Sequence, residues 1–503
     1  MSLIGRSAFG CAPVLALSAI LLSGCAVAPV ELSQAELSDI AARSIDGVAA
    51  DQEPVHGAID VYEAIARALK YNLDHQVELA EQSVRERELA LSHYSMLPQL
   101  VANSGYAGRD SFNASSSENV LTGAQSLATS TSQDKRLKTA DIAFSWNVLD
   151  FGLSYVRARQ AADKVLVQAE LRRKVTLRIV EETRSAYWKA VSAQRLLGRL
   201  ARIEADARNV EKESRSVATG GQTSPITALT YEREIIEVQR TIGEVTRELN
   251  TAKTQLAALM NLPPESKFKL AVAKRDLSSG PSAAPSALIH DAVANRPELR
   301  EVSYRRRINE QEAHAALLEM LPGISLAAGN NFDSNSFLFE NHWQNWGAKA
   351  SFNLLKVFSY PARRDVIEDQ DMMLEKRQLA VTMAIMTQVY ISRIRLMHAI
   401  KEYRTAQRYR NVQDGLLAQI RNESAAGRVS RQTMVREEVN TVVAEAKLDI
   451  AYAAVESARA NMNTSLGIDP NASISNPDGP VNEIANALRL AKPAVVVADS
   501  NGN

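Results

Sequence analysis

Cysteine is almost absent from this chain: among 503 residues there are two, Cys11 and Cys25, both close to the amino terminus. A disulfide-stapled body is therefore excluded. Long apolar runs are equally scarce. Beyond Leu22 none approaches the ~18 residues a membrane-crossing helix needs, so any insertion into a bilayer must be by strands. An excess of one charge is missing too, with 58 basic against 58 acidic residues, which argues against a nucleic-acid surface. The 7 histidines (His56, His75, His93, His290, His314, His342, His398) are scattered. They form no H-E-x-x-H and no helical i, i+4 pair. No glycine-rich phosphate loop follows a strand, and G-x-S-x-G does not occur. No catalytic group, metal site or cofactor is read from the sequence, and the carboxylates sit at helical spacing beside Arg and Lys as a solvated or interhelical charge network does.

Helix breakers are missing where it matters most. From Leu153 to Thr219 there is no proline and one glycine, Gly198. Apolar and small residues recur three and four apart at Ala186, Ala190, Ala193, Leu197, Leu200, Ile203, Ala207, Val210 and Val217, a coiled-coil seam rather than a globular core face. The pattern predicts one rod of roughly 100 Å at ~1.5 Å per residue. A second rod is predicted from Tyr360 to Ala426, with Pro361 in its first turn and Gly415 as its one internal glycine. The flanks repeat as well. Trp146-Asn147-Val148-Leu149 matches Phe352-Asn353-Leu354-Leu355, and Met260-Asn261-Leu262 matches Leu466-Gly467-Ile468, both at a shift of 206. Met96-Leu97-Pro98 matches Met320-Leu321-Pro322 at a shift of 224. One unit has been duplicated, and the segment after the Leu-Pro landmark is longer in the first copy by the difference between the two shifts.

The start of the chain, with Arg6, an apolar run to Leu22 and Leu22-Ser23-Gly24-Cys25, reads as a secretory signal and resembles the bacterial lipoprotein box. That resemblance implies cleavage before Cys25, acylation there and, with Ala26 following, sorting to the outer membrane. Residues 1–24 are thus the signal and 25–57 an extended lead without sustained period. The first repeat spans 58–264, a linker 265–286, the second repeat 287–470 and a tail 471–503. Within each repeat the period shifts from helical to two. Leu100, Ala102, Ser104 and Tyr106, then Ile142, Phe144, Trp146 and Val148, alternate with polar or small residues, as membrane-barrel strands do. The second copy offers Ile324, Leu326 and Ala328, then Trp346, Ala348, Ala350, Phe352 and Leu354. Trp146, Trp343 and Trp346 are expected at a membrane interface. After each rod a glycine corner precedes a returning helix, Pro225 to Leu262 and Arg431 to Leu466. The fold class is mainly α with a small β part: duplicated coiled-coil hairpins plus four strands, too few to close a barrel, so several copies must share one.

These features in this order resemble the TolC-like outer-membrane factors over residues 58–470: the duplication, the paired rods, the Leu-Pro before each first strand and the Gly-x-x-Ser tips. The resemblance implies a homotrimer with a 12-stranded barrel and a helical barrel below it. It implies a periplasmic adaptor and an inner-membrane transporter as partners, in an efflux or type I secretion duct embedded in outer-membrane lipid. Gly221, Thr223, Ser224, Gly427, Arg428, Val429 and Ser430 are the expected adaptor-docking tips, with Arg431 adding positive charge. Family members commonly carry acidic residues six and nine positions after the second tip glycine. Here those positions hold Thr433 and Arg436, and Glu437 and Glu438 become the candidate aperture. Two other readings compete: a structural coiled-coil lipoprotein, which leaves the strand hairpins unexplained, and a peripheral adaptor, which needs more strands than this chain has.

Overall fold

The computed structural model describes residues 29–48, 52–126, 128–219, 225–272, 275, 284–429 and 431–491. The chain forms two units, residues 1–52 and 53–503. In the first, where an extended lead was expected, α1 (Gln34–Val48) is helical. Ser33 and Glu36 form the capping box that starts it: Glu36 Oε2 accepts from the Ser33 amide at 2.8 Å, and the Glu36 amide donates to Ser33 Oγ. An Asp39–Arg43 pair one turn apart supports it further. None of its residues is buried, and Leu37, Ile40, Ile45 and Val48, recurring at helical spacing, leave an apolar stripe exposed.

The second unit carries the duplication to the residue. Helices α2 (Val61–Tyr71) and α3 (Leu73–Tyr94) recur, at the shift of 224, as α7 (Pro285–Asn295) and α8 (Pro297–Leu318), each with its partner's length. Rod α4 (Val148–Thr219) recurs, at the shift of 206, as α9 (Leu354–Ala425), both of 72 residues. The return helices are α5 (Pro225–Asn250), α6 (Ala252–Leu259) and, in the second repeat, the unbroken α10 (Arg431–Ser465). Both rods start earlier than expected. Asn147 at the end of β2, and Asn353 two residues past β4, turn strand into helix, their side-chain oxygens accepting from the amides of Leu149 and Leu355 at 3.0 and 3.1 Å, and Phe352 thus lies outside its expected strand. Val148 and Leu354 are therefore helical and not the last residues of strands, and Pro361 falls inside α9 rather than at its start.

Four strands form one antiparallel sheet in chain order: β1 (Gln99–Gly108), β2 (Arg136–Asn147), β3 (Gly323–Asp333) and β4 (His342–Ser351). The repeats join at its centre, where Phe144 lies opposite Ala328 and Trp146 opposite Leu326. Cross-strand partners share a face, so Leu100, Phe144, Ala328 and Trp346 line one side. The other side is polar: Asn103 Nδ2 donates to Asp141 and Asn331 Nδ2 to Asn345. Trp343, opposite Asn331, belongs to this polar side. Trp146 and Trp346 keep the apolar position expected of them, whereas Trp343 is out of phase with Trp346 by an odd number of residues and points the other way. Both outer strands, β1 and β4, leave an edge unpaired among the described residues.

Below the sheet the helices make a wall one layer thick. Its upper half runs α3, α4, α8, α9, and its lower half α5, α4, α10, α9, so among the described residues rod α4 is flanked on both sides while α9 has one free flank. The main core lies at mid-height. Parallel pairing of Ala58–Ile59 with Lys269–Leu270 draws the linker in, and α11 (Val481–Leu490) covers α2. Ile59, Ile65, Tyr187, Trp188, Leu256, Met260, Tyr452, Met462 and Ile484 pack together there. Tyr187, fully buried, donates its hydroxyl to the Ala271 carbonyl at 2.6 Å. A second cluster, Leu196, Leu200, Ile242, Val439, Val442 and Ala446, fills the coiled coil nearer the tips.

Candidate functional site

The tip of the second hairpin is set by one backbone conformation. Gly427 has φ +72, and the Gly427 and Arg428 amides donate to the carbonyls of Ser424 and Glu423 at 3.0 and 2.9 Å. This pairing ends a helix with a left-handed residue, which glycine adopts without strain. Arg428 folds back onto Glu423 at 3.3 Å, and Val429 is half-buried. Ser430 lies outside the described residues, as do Gly221, Thr223 and Ser224 of the first tip and Cys25.

The two candidate aperture carboxylates have different surroundings. Consecutive helix residues point ~100° apart, and the wall separates them accordingly. Glu437 is 7% exposed and turned into the hairpin, where it accepts from Gln413 Nε2 at 2.7 Å, Asn440 Nδ2 at 3.2 Å and Arg436 Nε at 3.1 Å. Burial opposes its charge, but those hydrogen bonds outweigh burial and hold the carboxyl below its ordinary range. Glu438 stays half-buried and pairs with Arg421 across the hairpin at 3.0 Å. Arg436 also reaches Glu234 on α5 at 3.0 Å, tying the two hairpins together. Nothing in the sequence marked Gln413, Arg421 or Glu234 as partners, since each lies on another helix.

Charge also joins the repeats along the wall. In the lower half Arg195 and Arg199 of α4 meet Asp449 and Glu445 of α10, and Arg275 from the linker shares Asp449. In the upper half Arg157 of α4 and Arg363 of α9, counterparts in the two repeats, both grip Glu312 of α8. Burial works against the Glu312 charge, yet hydrogen bonds from Arg157, Gln160 and Arg363 prevail and lower its carboxyl to about 2. The Arg305-Arg306-Arg307 run of α8 shows how the helix is held: Arg306 takes Asp371 of α9 and Arg307 takes Asp163 of α4. No group of three or more His, Cys, Asp or Glu among the described residues could hold a metal ion. Nor is any described helix long and apolar enough to cross a membrane.

The chain is thus a duplicated helical wall hung from four antiparallel strands, with each repeat's second strand leading into a rod. No protein-family model matches the sequence, and no curated protein sequence matches it. Solved structures do. The open state of the Neisseria gonorrhoeae MtrE outer-membrane channel superposes with a TM-score of 0.63 at 15% identity, over 81% of this chain and 88% of that one. CusC, solved in a study of its folding and transmembrane channel formation, gives 0.61 at 19% over 84% and 96%. The Campylobacter jejuni CmeC outer-membrane channel gives 0.63 at 11% over 92% and 97%. The chain has the fold of these outer-membrane channels.

Proposed function

We propose that this chain is one protomer of a homotrimeric outer-membrane exit duct, which passively conducts substrate delivered by a periplasmic adaptor and an inner-membrane transporter. The observation that carries the reading is the pair of free, unlike flanks. Edge strands β1 and β4 both lack a partner among the described residues, and the open flank of α9 carries a seam of exposed apolar residues, Met372, Leu379, Met383, Tyr390, Ile394 and Met397. Unlike flanks that join head to tail give a ring when the rotation between copies closes and a filament when it does not, and a bilayer tolerates no open sheet edge, which selects the ring. The apolar face of the sheet then meets lipid and its polar face lines water. A coiled-coil spacer lipoprotein would leave that face without purpose.

Within this reading Glu438 is the candidate constriction, repeated around the axis near the tips, while Glu437 fixes the helix that carries it. In planar bilayers the purified oligomer is expected to conduct with cation preference, and Glu438→Gln to weaken that preference, because like charges around an axis set the sign of the permeating ion. A folded membrane-inserted monomer in native mass measurements, or an oligomer that never conducts, would end the duct reading; unchanged selectivity would end only the role of Glu438. A lipid on Cys25 and adaptor docking at Gly221, Thr223, Ser224, Gly427, Arg428, Val429 and Ser430 complete the proposal. An amino-terminal peptide without the lipid mass would remove the anchor, and adaptor binding indifferent to Ser430→Trp would remove the docking, without touching the duct.

A further inference from the structure

The wall contains a seam that can be transposed. Helix α8 packs against rod α4, the junction between repeats. Leu318 lies over Gly152, Gln160 Nε2 donates to the Ile308 carbonyl at 3.2 Å, and Glu312 takes Arg157. Because one shift relates the repeats before the strands, α3 to α8, and another relates them after the strands, α4 to α9, this junction has a counterpart that a single chain cannot make. It would join the flank of α3 that faces away from α4 to the free flank of α9.

Resting on the ring reading above, we infer that α3 of one copy receives rod α9 of the next in the register that α8 and α4 already use within the chain. Transposed, Ile308 against Gln160 becomes Val84 against Val366, Glu312 against Arg157 becomes Glu88 against Arg363, and Leu318 against Gly152 becomes Tyr94 against Phe358. The side chains at these positions suit one another. Val84 and Val366 are 54% and 55% exposed in the single chain, a polar contact replaced by an apolar pair, and Tyr94 and Phe358 stand at 69% and 80%. Glu88, held among the described residues by its helical neighbour Arg85, meets the cation that already serves Glu312 and Glu319. Arg307 against Asp163 becomes Ser83 against Asp369, a hydrogen bond in place of an ion pair.

The sheet supplies an independent check. The β2–β3 register sets Ile142 opposite Asn330 and Phe144 opposite Ala328. The same shifts carry these pairs to β4 of one copy and β1 of the next, with Ala348 opposite Tyr106 and Ala350 opposite Ser104. Both fall on the apolar side, so the lipid-facing surface continues across the join. A register wrong by one residue would have put them on opposite faces.

Engineered cysteines read the register directly, since the sequence has only Cys11 and Cys25 of its own. Val84→Cys with Val366→Cys, oxidised in membranes, is expected to give a ladder of linked species ending at the closed oligomer, with each single variant remaining unlinked. Val84→Cys with Met373→Cys, two turns along the rod, is expected not to link. Linking through Met373 and not Val366, or no linking in an oligomer of intact native mass, overturns the register while leaving the ring. Absence of any oligomer overturns both.

Discussion

Gly467→Val is expected to cost on the order of 4 kcal/mol and to lower the yield of folded protein sharply, a sum of two effects. Gly467 has φ +68 and closes α10 by donating to the Thr464 carbonyl while the Ile468 amide reaches Asn463, at 3.0 and 3.1 Å. A side chain in that conformation costs ~1–2 kcal/mol. The larger obstacle is space: a Cβ there would lie 2.8–2.9 Å from the backbone of Asn295 and Arg296, where overpacking adds ~1–3 kcal/mol. The first repeat supplies the control. Asn261, the counterpart of Gly467, adopts φ 56, and its own amide and that of Leu262 donate to Ala258 and Ala257 in the same pattern. Asparagine tolerates this region better than most residues. Asn261→Gly should therefore leave thermal unfolding nearly unchanged. Gly467→Asn separates the two terms: full stability would show that handedness alone fixes the glycine and that the Asn295 contact is unimportant.

The second large effect is expected at Asp449. This carboxylate is 4% exposed and receives Arg195 from α4 and Arg275 from the linker; Arg275 also lies over the Tyr452 ring at 5.7 Å. Asp449→Asn keeps the shape and removes the charge on which two cations converge. Breaking a buried pair costs ~3–5 kcal/mol, but both arginines retain some access to water and Arg195 keeps Glu445, so about 2–3 kcal/mol is expected. Replacing Arg275 as well should recover part of the loss. A double variant no better than the sum of its singles would show that the two residues do not act together.

Much of the architecture was legible because it is written in period and in repetition. The missing prolines announced the rods, and the two shifts reappear at helix and strand boundaries alike. A glycine directly after Leu466 is an ordinary helix stop, whereas Asn261 at the matching position carries no such signal, because asparagine is common elsewhere. The interruption of the first return helix at Thr251, between α5 and α6, breaks no local rule. Pro361 misled the start of the second rod, since proline inside a long helix looks like a first-turn residue when the preceding strand pattern seems to run on. At the second tip the backbone turn was foreseeable from glycine. The division of labour between Glu437 and Glu438 was not, because it depends on Gln413, Arg421 and Glu234 arriving from other helices.

In the lower wall α4 and α10 are fastened by Arg195 and Arg199 on Asp449 and Glu445. Carried by the same shift to the join between copies, those positions hold Lys401 and Thr405 on one side, Gly243 and Gln239 on the other, and neither carboxylate has a successor. In the proposed ring each chain would be a double stave, riveted along its own midline by ion pairs that these positions do not repeat between neighbours. On the proposed ring reading, the joints between chains near the tips would then part with neither Asp449 nor Glu445 stripped of its partner.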